Sequence, residues 1–173
     1  MKAMHYTLEQ LNQASVDAFV AALSGIFEHS PWVAAAAAQQ RPFASIDALH
    51  RTMSQAVETS GEVQQLALIN AHPELAGKAA VRGELTAEST REQSGAGLNQ
   101  CTQEEFDKLL ALNGAYREKF GFPFILAVRG YDRRGIMANF EARVNNSRAD
   151  ELRASLDQIY RIARFRLDEL IDA

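Results

Sequence analysis

The chain has 173 residues, 47% of them hydrophobic and 23% charged, with a net charge of −4. That mix supports one globular domain over residues 1–173 with a sizeable core, and the acidic balance argues against nucleic acid or an anionic membrane surface as a partner. A single cysteine, Cys101, excludes an internal disulfide and a thiolate zinc site and suits a reducing compartment.

Helix start signals recur along the chain. Thr7-Leu8-Glu9-Gln10 has the form of a capping box and opens a short helix. Ser15 caps a helix over Val16–Phe27, where Phe19, Leu23, Ile26 and Phe27 recur at helical spacing. Ser30-Pro31 starts a third helix, with proline at its first position, through the Ala34–Ala38 run. Ser45 caps Ile46–Glu58. Glu62–Asn70 continues as helix and stops before His72-Pro73, because proline bars its predecessor from helical backbone. Pro73 then begins a new short helix with His72 at its mouth. Thr102-Gln103-Glu104-Glu105 is a second capping box. Its helix carries Phe106, Leu109, Leu110, Leu112 and Tyr116 and ends near Gly121. Phe122–Val128 is a buried apolar stretch too short to assign as helix or strand. Gly135–Asn146 and Ser147–Leu170 read as the last two helices. No alternating strands and no hairpin turn pairs occur, so an all-α multi-helix bundle is expected. Trp32–Ala38 and Phe122–Val128 are far too short to span a bilayer. Met1–Gln10 has no signal-type apolar core and Ile171-Asp172-Ala173 is not a peroxisomal tripeptide, so a cytoplasmic protein is expected.

Three places depart from plain core or surface. His72 stands at a helix break, where its ring can reach a pocket, and imidazole is the side chain best suited to exchanging protons near neutral pH. A loop or capping histidine is the plainer reading. Ser89, Glu92 and Gln93 share one helix face, which sets a hydroxyl, a carboxylate and an amide side by side for a small polar ring. Ser-x-x-Glu is equally a capping box, in which Ser89 only starts the helix. The last helix has an apolar stripe through Leu152, Leu156, Ile159, Ala163 and Leu170. At about 100° per residue, Arg166 lies about 20° from Ile159, inside that stripe. Arg161 and Arg164 fall on the solvent side with Asp157 and Asp168. An inward arginine keeps its proton and requires an anion: Glu92, another acid of the chain, or a substrate carboxylate. A side chain snorkelling out at the stripe's end is the alternative.

Several chemistries lack their signatures. The chain has no glycine-rich phosphate loop, dinucleotide fingerprint or nucleophile elbow. Its four histidines, His5, His29, His50 and His72, are far apart, and no metal site is expected.

The motifs together resemble those of a known family. His72-Pro73-Glu74-Leu75-Ala76-Gly77-Lys78 resembles the signature of the 2-oxo-4-hydroxy-4-carboxy-5-ureidoimidazoline (OHCU) decarboxylases. Ser89-x-x-Glu92-Gln93 with Ala96-Gly97-Leu98 is similar to their second motif, and Lys119-Phe120-Gly121-Phe122-Pro123-Phe124-Ile125 to their third. Ile162-Ala163-Arg164-Phe165-Arg166-Leu167 is similar to their C-terminal helix. The resemblance runs in order over nearly the whole chain. It implies an all-helical homodimer with no metal or organic cofactor. It also implies a reaction that follows urate oxidation and hydrolysis of 5-hydroxyisourate, and converts OHCU into (S)-allantoin and carbon dioxide. By the same resemblance His72 is the catalytic proton donor and Glu92 its acidic companion. Ser89 and Gln93 hold substrate, and Pro73 lines the site. Phe124, Ile125, Leu126, Ala127 and Val128 form the stretch whose backbone meets the ring, and Arg166 is the family's inward arginine.

Overall fold

Capping residues set the helix starts, and the resulting architecture is all-α. The computed structural model describes residues 5–77 and 82–172. Among these it has nine α-helices, one 3-10 turn and one two-residue parallel bridge. The chain divides into two compact units, one from the residues up to Ala71 together with those from Tyr160 onward, the other His72–Ile159. No helix among the described residues is long and apolar enough to cross a membrane.

The first unit contains β1 (Tyr6–Thr7), α1 (Leu8–Gln13), α2 (Val16–Leu23), α3 (Pro31–Ala38), α4 (Ile46–Thr59) and α5 (Glu62–Ala71). Thr7 and Gln10 form both arms of the expected capping box, at 3.1 and 2.9 Å. Ser15 and Ser45 each accept from the amide three residues on, as cap residues do. The helix expected to reach Phe27 stops at Leu23. Ser24 and Gly25 weaken it there, and the chain turns through His29, whose φ is 47°. Ile26 and Phe27 are nevertheless buried, at 4% and 1% exposure, so the apolar spacing identified core without identifying helix. Leu49, Met53 and Val57 make the inner stripe of α4 and are fully buried. The bridge pairs Tyr6 with Ile171 and Thr7 with Asp172; two residues are too few to carry an alternation signal.

The second unit contains α6 (Ala87–Gly95), the 3-10 turn Leu98–Gln100, α7 (Gln103–Phe120) and α8 (Arg133–Arg143). The last helix, α9 (Arg148–Leu170), begins in this unit and ends in the other. Both arms of the Thr102–Glu105 capping box are present. Gly121, at φ 82°, closes α7 by donating to the Arg117 carbonyl at 2.8 Å, the left-handed exit that glycine makes without strain. Asp132 caps α8, which starts two residues before the expected Gly135 and ends at Arg143. Tyr116 packs against Phe120, Phe122, Phe124 and Phe140. Phe122–Val128 adopts neither helix nor strand, and every residue in it is buried.

Candidate active site

His72 directly follows α5 and opens a turn through Gly77. Pro73 does not start the expected helix, and Pro73–Gly77 contains no helical residue. Ala76 sits at φ 51°, a left-handed backbone that no helix can continue through and that costs a residue with a Cβ. Gly77 is required sterically, because a Cβ there would lie 2.9 Å from the Glu74 Cβ. Lys78, the end of the first motif, lies outside the described residues. His72 itself is 7% exposed, so its ring is inside the protein rather than on a solvated loop.

Side chains from two helices hold this turn. Gln93 of α6 accepts from the Ala76 amide at 2.9 Å through Oε1 and donates to the Glu74 carbonyl at 3.4 Å through Nε2. Asn113 of α7 donates to the Leu75 carbonyl at 3.0 Å. Arg117, one turn later, donates to the Glu74 carboxylate at 2.8 Å. The first and second motifs are therefore joined through the Gln93 amide.

Helix α6 decides between the two readings of Ser89. Thr86 is the N-cap and accepts from the Ser89 amide at 3.2 Å. Ser89 is thus inside the first turn, not its cap, and its 4% exposure gives its hydroxyl a buried position. Gln93 is buried on the same face and Glu92 is half-buried beside it. The hydroxyl, carboxylate and amide do share one side of a helix, as expected.

The Phe124–Val128 backbone is fixed by side chains instead of a ladder, since buried amides and carbonyls require partners. Arg143 donates to the Ile125 carbonyl at 2.6 Å, and Gln158 accepts from the Ala127 amide at 2.9 Å. Arg143 is held in turn by the fully buried Glu151, which also accepts from Asn146 and from the Tyr116 hydroxyl. Burial first, and then the hydrogen bond to Glu151, keep the Tyr116 phenol well above its usual value and therefore protonated. Glu151, Arg143 and Asn113 carry no motif in the sequence, and sequence reasoning missed them. Their only signal is a polar residue inside an apolar helical stripe, as Asn113 is between Leu109 and Tyr116.

Arg166 lies in the first unit and points inward, as helical phase requires. Its partner there is Glu28, at 2.8 Å, with the two side chains 3% and 1% exposed. It also donates to the Gly25 carbonyl at 2.9 Å. Nothing in the sequence around Glu28 marked it as a buried acid. Arg161 is exposed, and Arg164 pairs at the surface with Asp47 and Asp168.

The second unit thus holds His72, Pro73, Ser89, Glu92, Gln93 and the Phe124–Val128 stretch, and the first unit holds Arg166. A cavity of about 480 Å³ lies in the second unit, with Gln93, Thr90, Leu98, Cys101 and Phe106 in its wall. His72, Ser89 and Glu92 are not among the residues that line it.

The OHCU decarboxylase family matches residues 12–168. The chain belongs to that family. The OHCU decarboxylase of Haloferax volcanii is 42% identical over 94% of this chain and 95% of that protein. The uric acid degradation bifunctional protein PucL of Bacillus subtilis is also 42% identical, over 96% of this chain but only 33% of its own length. The crystal structure of (S)-allantoin synthase superposes with a TM-score of 0.78 at 31% identity, covering 96% of this chain and 54% of that one. The OHCU decarboxylase family signature therefore runs through both units, and the resemblance of the four motifs is a true kinship.

Proposed function

We propose that this chain decarboxylates OHCU to (S)-allantoin and carbon dioxide, with His72 as the proton donor. The observation that carries this reading is the Gln93 amide, which fastens the His72 turn to the helix of Ser89 and Glu92. Membership of the family and the allantoin-forming relative support the choice of substrate.

The chemistry suits these groups. The bond between the ring carbon and the carboxylate breaks, and carbon dioxide leaves. The electron pair left behind forms a carbon–carbon double bond as the adjacent carbon–nitrogen double bond takes up charge on nitrogen, and that nitrogen gains a proton from solvent. The substrate supplies its own electron sink, so no organic cofactor is needed for that step. The resulting enol must gain a proton on the ureido-bearing carbon, on one face, while its hydroxyl proton departs. A single positioned imidazole gives one enantiomer, and general acid catalysis of this kind contributes about 10²–10⁴-fold. Glu92 orients the imidazole or receives the hydroxyl proton. Ser89, Gln93, Pro73 and the Phe124–Val128 backbone hold the ring. Within the first unit the Arg166 guanidinium is paired with the buried Glu28 carboxylate, which already balances its charge. We propose further that the chain acts as a homodimer in the cytoplasm.

The test is a chiral assay on OHCU generated enzymatically in the cuvette, with spontaneous decay subtracted. Wild-type protein is expected to release carbon dioxide and yield (S)-allantoin in excess. His72→Ala is expected to stay folded and lose nearly all enzymatic turnover. A wild-type rate in that variant would refute the role of His72, and a racemic product from the wild type would refute the proposal as a whole.

A further inference from the structure

We infer that Asn113 and Arg117, neighbouring groups on one face of α7, are positioning residues that set the place of His72. The inference rests on the reading of His72 as proton donor. Residues four apart on a helix lie one above the other, and these two reach consecutive residues of the turn. Asn113 holds the Leu75 carbonyl at 3.0 Å and Arg117 the Glu74 carboxylate at 2.8 Å. Both anchors fall within three residues of His72, on a turn that includes the strained Ala76. A strained backbone persists only where its surroundings over-determine it. Gln93 grips the Glu74 carbonyl and the Ala76 amide, and the Leu75 carbonyl between them is held by Asn113.

Packing does not explain Asn113. It is 2% exposed, between the fully buried Leu109 and Tyr116. Its Nδ2 has one partner, and among the described residues its Oδ1 has none. A buried acceptor without a donor costs stability, and an apolar residue of the same size would avoid that cost. An unmatched amide kept in the core next to a functional turn fits a role in holding that turn.

The experiment compares wild type, Asn113→Leu, Arg117→Met and His72→Ala for kcat, KM, enantiomeric excess and melting temperature. Misplacing a reacting group by about 1 Å can cost about 10²-fold. Asn113→Leu is therefore expected to lose roughly 10- to 100-fold in kcat, with KM little changed. Its product is expected to drift toward racemic, because the enol is protonated from solvent on both faces. Its melting temperature is expected to move little, since losing one hydrogen bond is offset by removing the unmatched oxygen. Arg117 is half-exposed, so Arg117→Met folds and serves if the leucine variant does not. It is expected to lower kcat and enantiomeric excess in the same direction by less. A purely structural role would lower the melting temperature and leave enantiomeric excess per folded molecule unchanged, which would overturn the inference. If His72→Ala is inactive and both α7 variants keep full kcat and enantiomeric excess, the positioning role fails and the His72 reading survives. If His72→Ala is fully active, the reading beneath it has failed as well.

Discussion

Arg166 and Glu28 pair away from water, which makes removal of one partner costlier than the pair is worth. Arg166→Met removes the guanidinium that donates at 2.8 Å to the buried Glu28 carboxylate. The expected loss is about 3–5 kcal/mol, read as a lowered midpoint in urea. Arg161→Met, on an exposed site, is expected to change stability by no more than about 0.5 kcal/mol. Equal effects of the two substitutions would contradict the buried pairing. The direction of Arg166 was legible in the sequence, because a seven-residue interval from Ile159 nearly completes two helical turns. Its partner was not, because Glu28 is far away in sequence and no periodicity connects them.

Helix α7 shows how far a local signal reaches. Thr102 and Glu105 predict its start because both arms of a capping box lie within four residues, and the structure has both. Thr102→Ala is expected to cost about 1 kcal/mol. The Glu105 carboxyl is held below its usual value, first by the Thr102 backbone N–H and then by Thr102 and Arg133 side-chain contacts that outweigh desolvation. A lowered folded-state value means that its stabilisation is complete above the ordinary carboxylate range and is lost as pH falls through the lowered value. Glu105→Gln keeps the cap geometry without the charge. The melting-temperature gap between wild type and Glu105→Gln is expected to hold at neutral pH and to close as pH falls below the ordinary carboxylate range, through the lowered value. A gap that persists unchanged into acid would remove Glu105 ionisation from the account. The Phe122–Val128 segment marks the limit of such signals. Its apolar run announces burial, but its partners Arg143 and Gln158 come from α8 and α9, which no short window contains.

For the whole molecule, membership of the OHCU decarboxylase family was legible from four motifs in order, and the family match over residues 12–168 bears it out. The proposed homodimer is checked by light scattering, where a mass of twice one chain is expected and a monomer at micromolar concentration would contradict it. Chain order alone did not reveal that α9 begins in one unit and ends in the other. Nor did it reveal the Tyr6–Ile171 bridge, which pairs positions near opposite ends of the sequence. By itself the sequence determined the helix starts, the inward face of α9, the all-α class and the family, because each depends on residues close together or on an ordered set of short motifs. Tertiary structure alone decided that Glu28 receives Arg166, that Gln93 and Asn113 grip the His72 turn, and that Glu151 fixes the arginine behind Ile125. Those pairings arise when packing removes polar groups from water, and each group then bonds to whatever the fold has placed beside it.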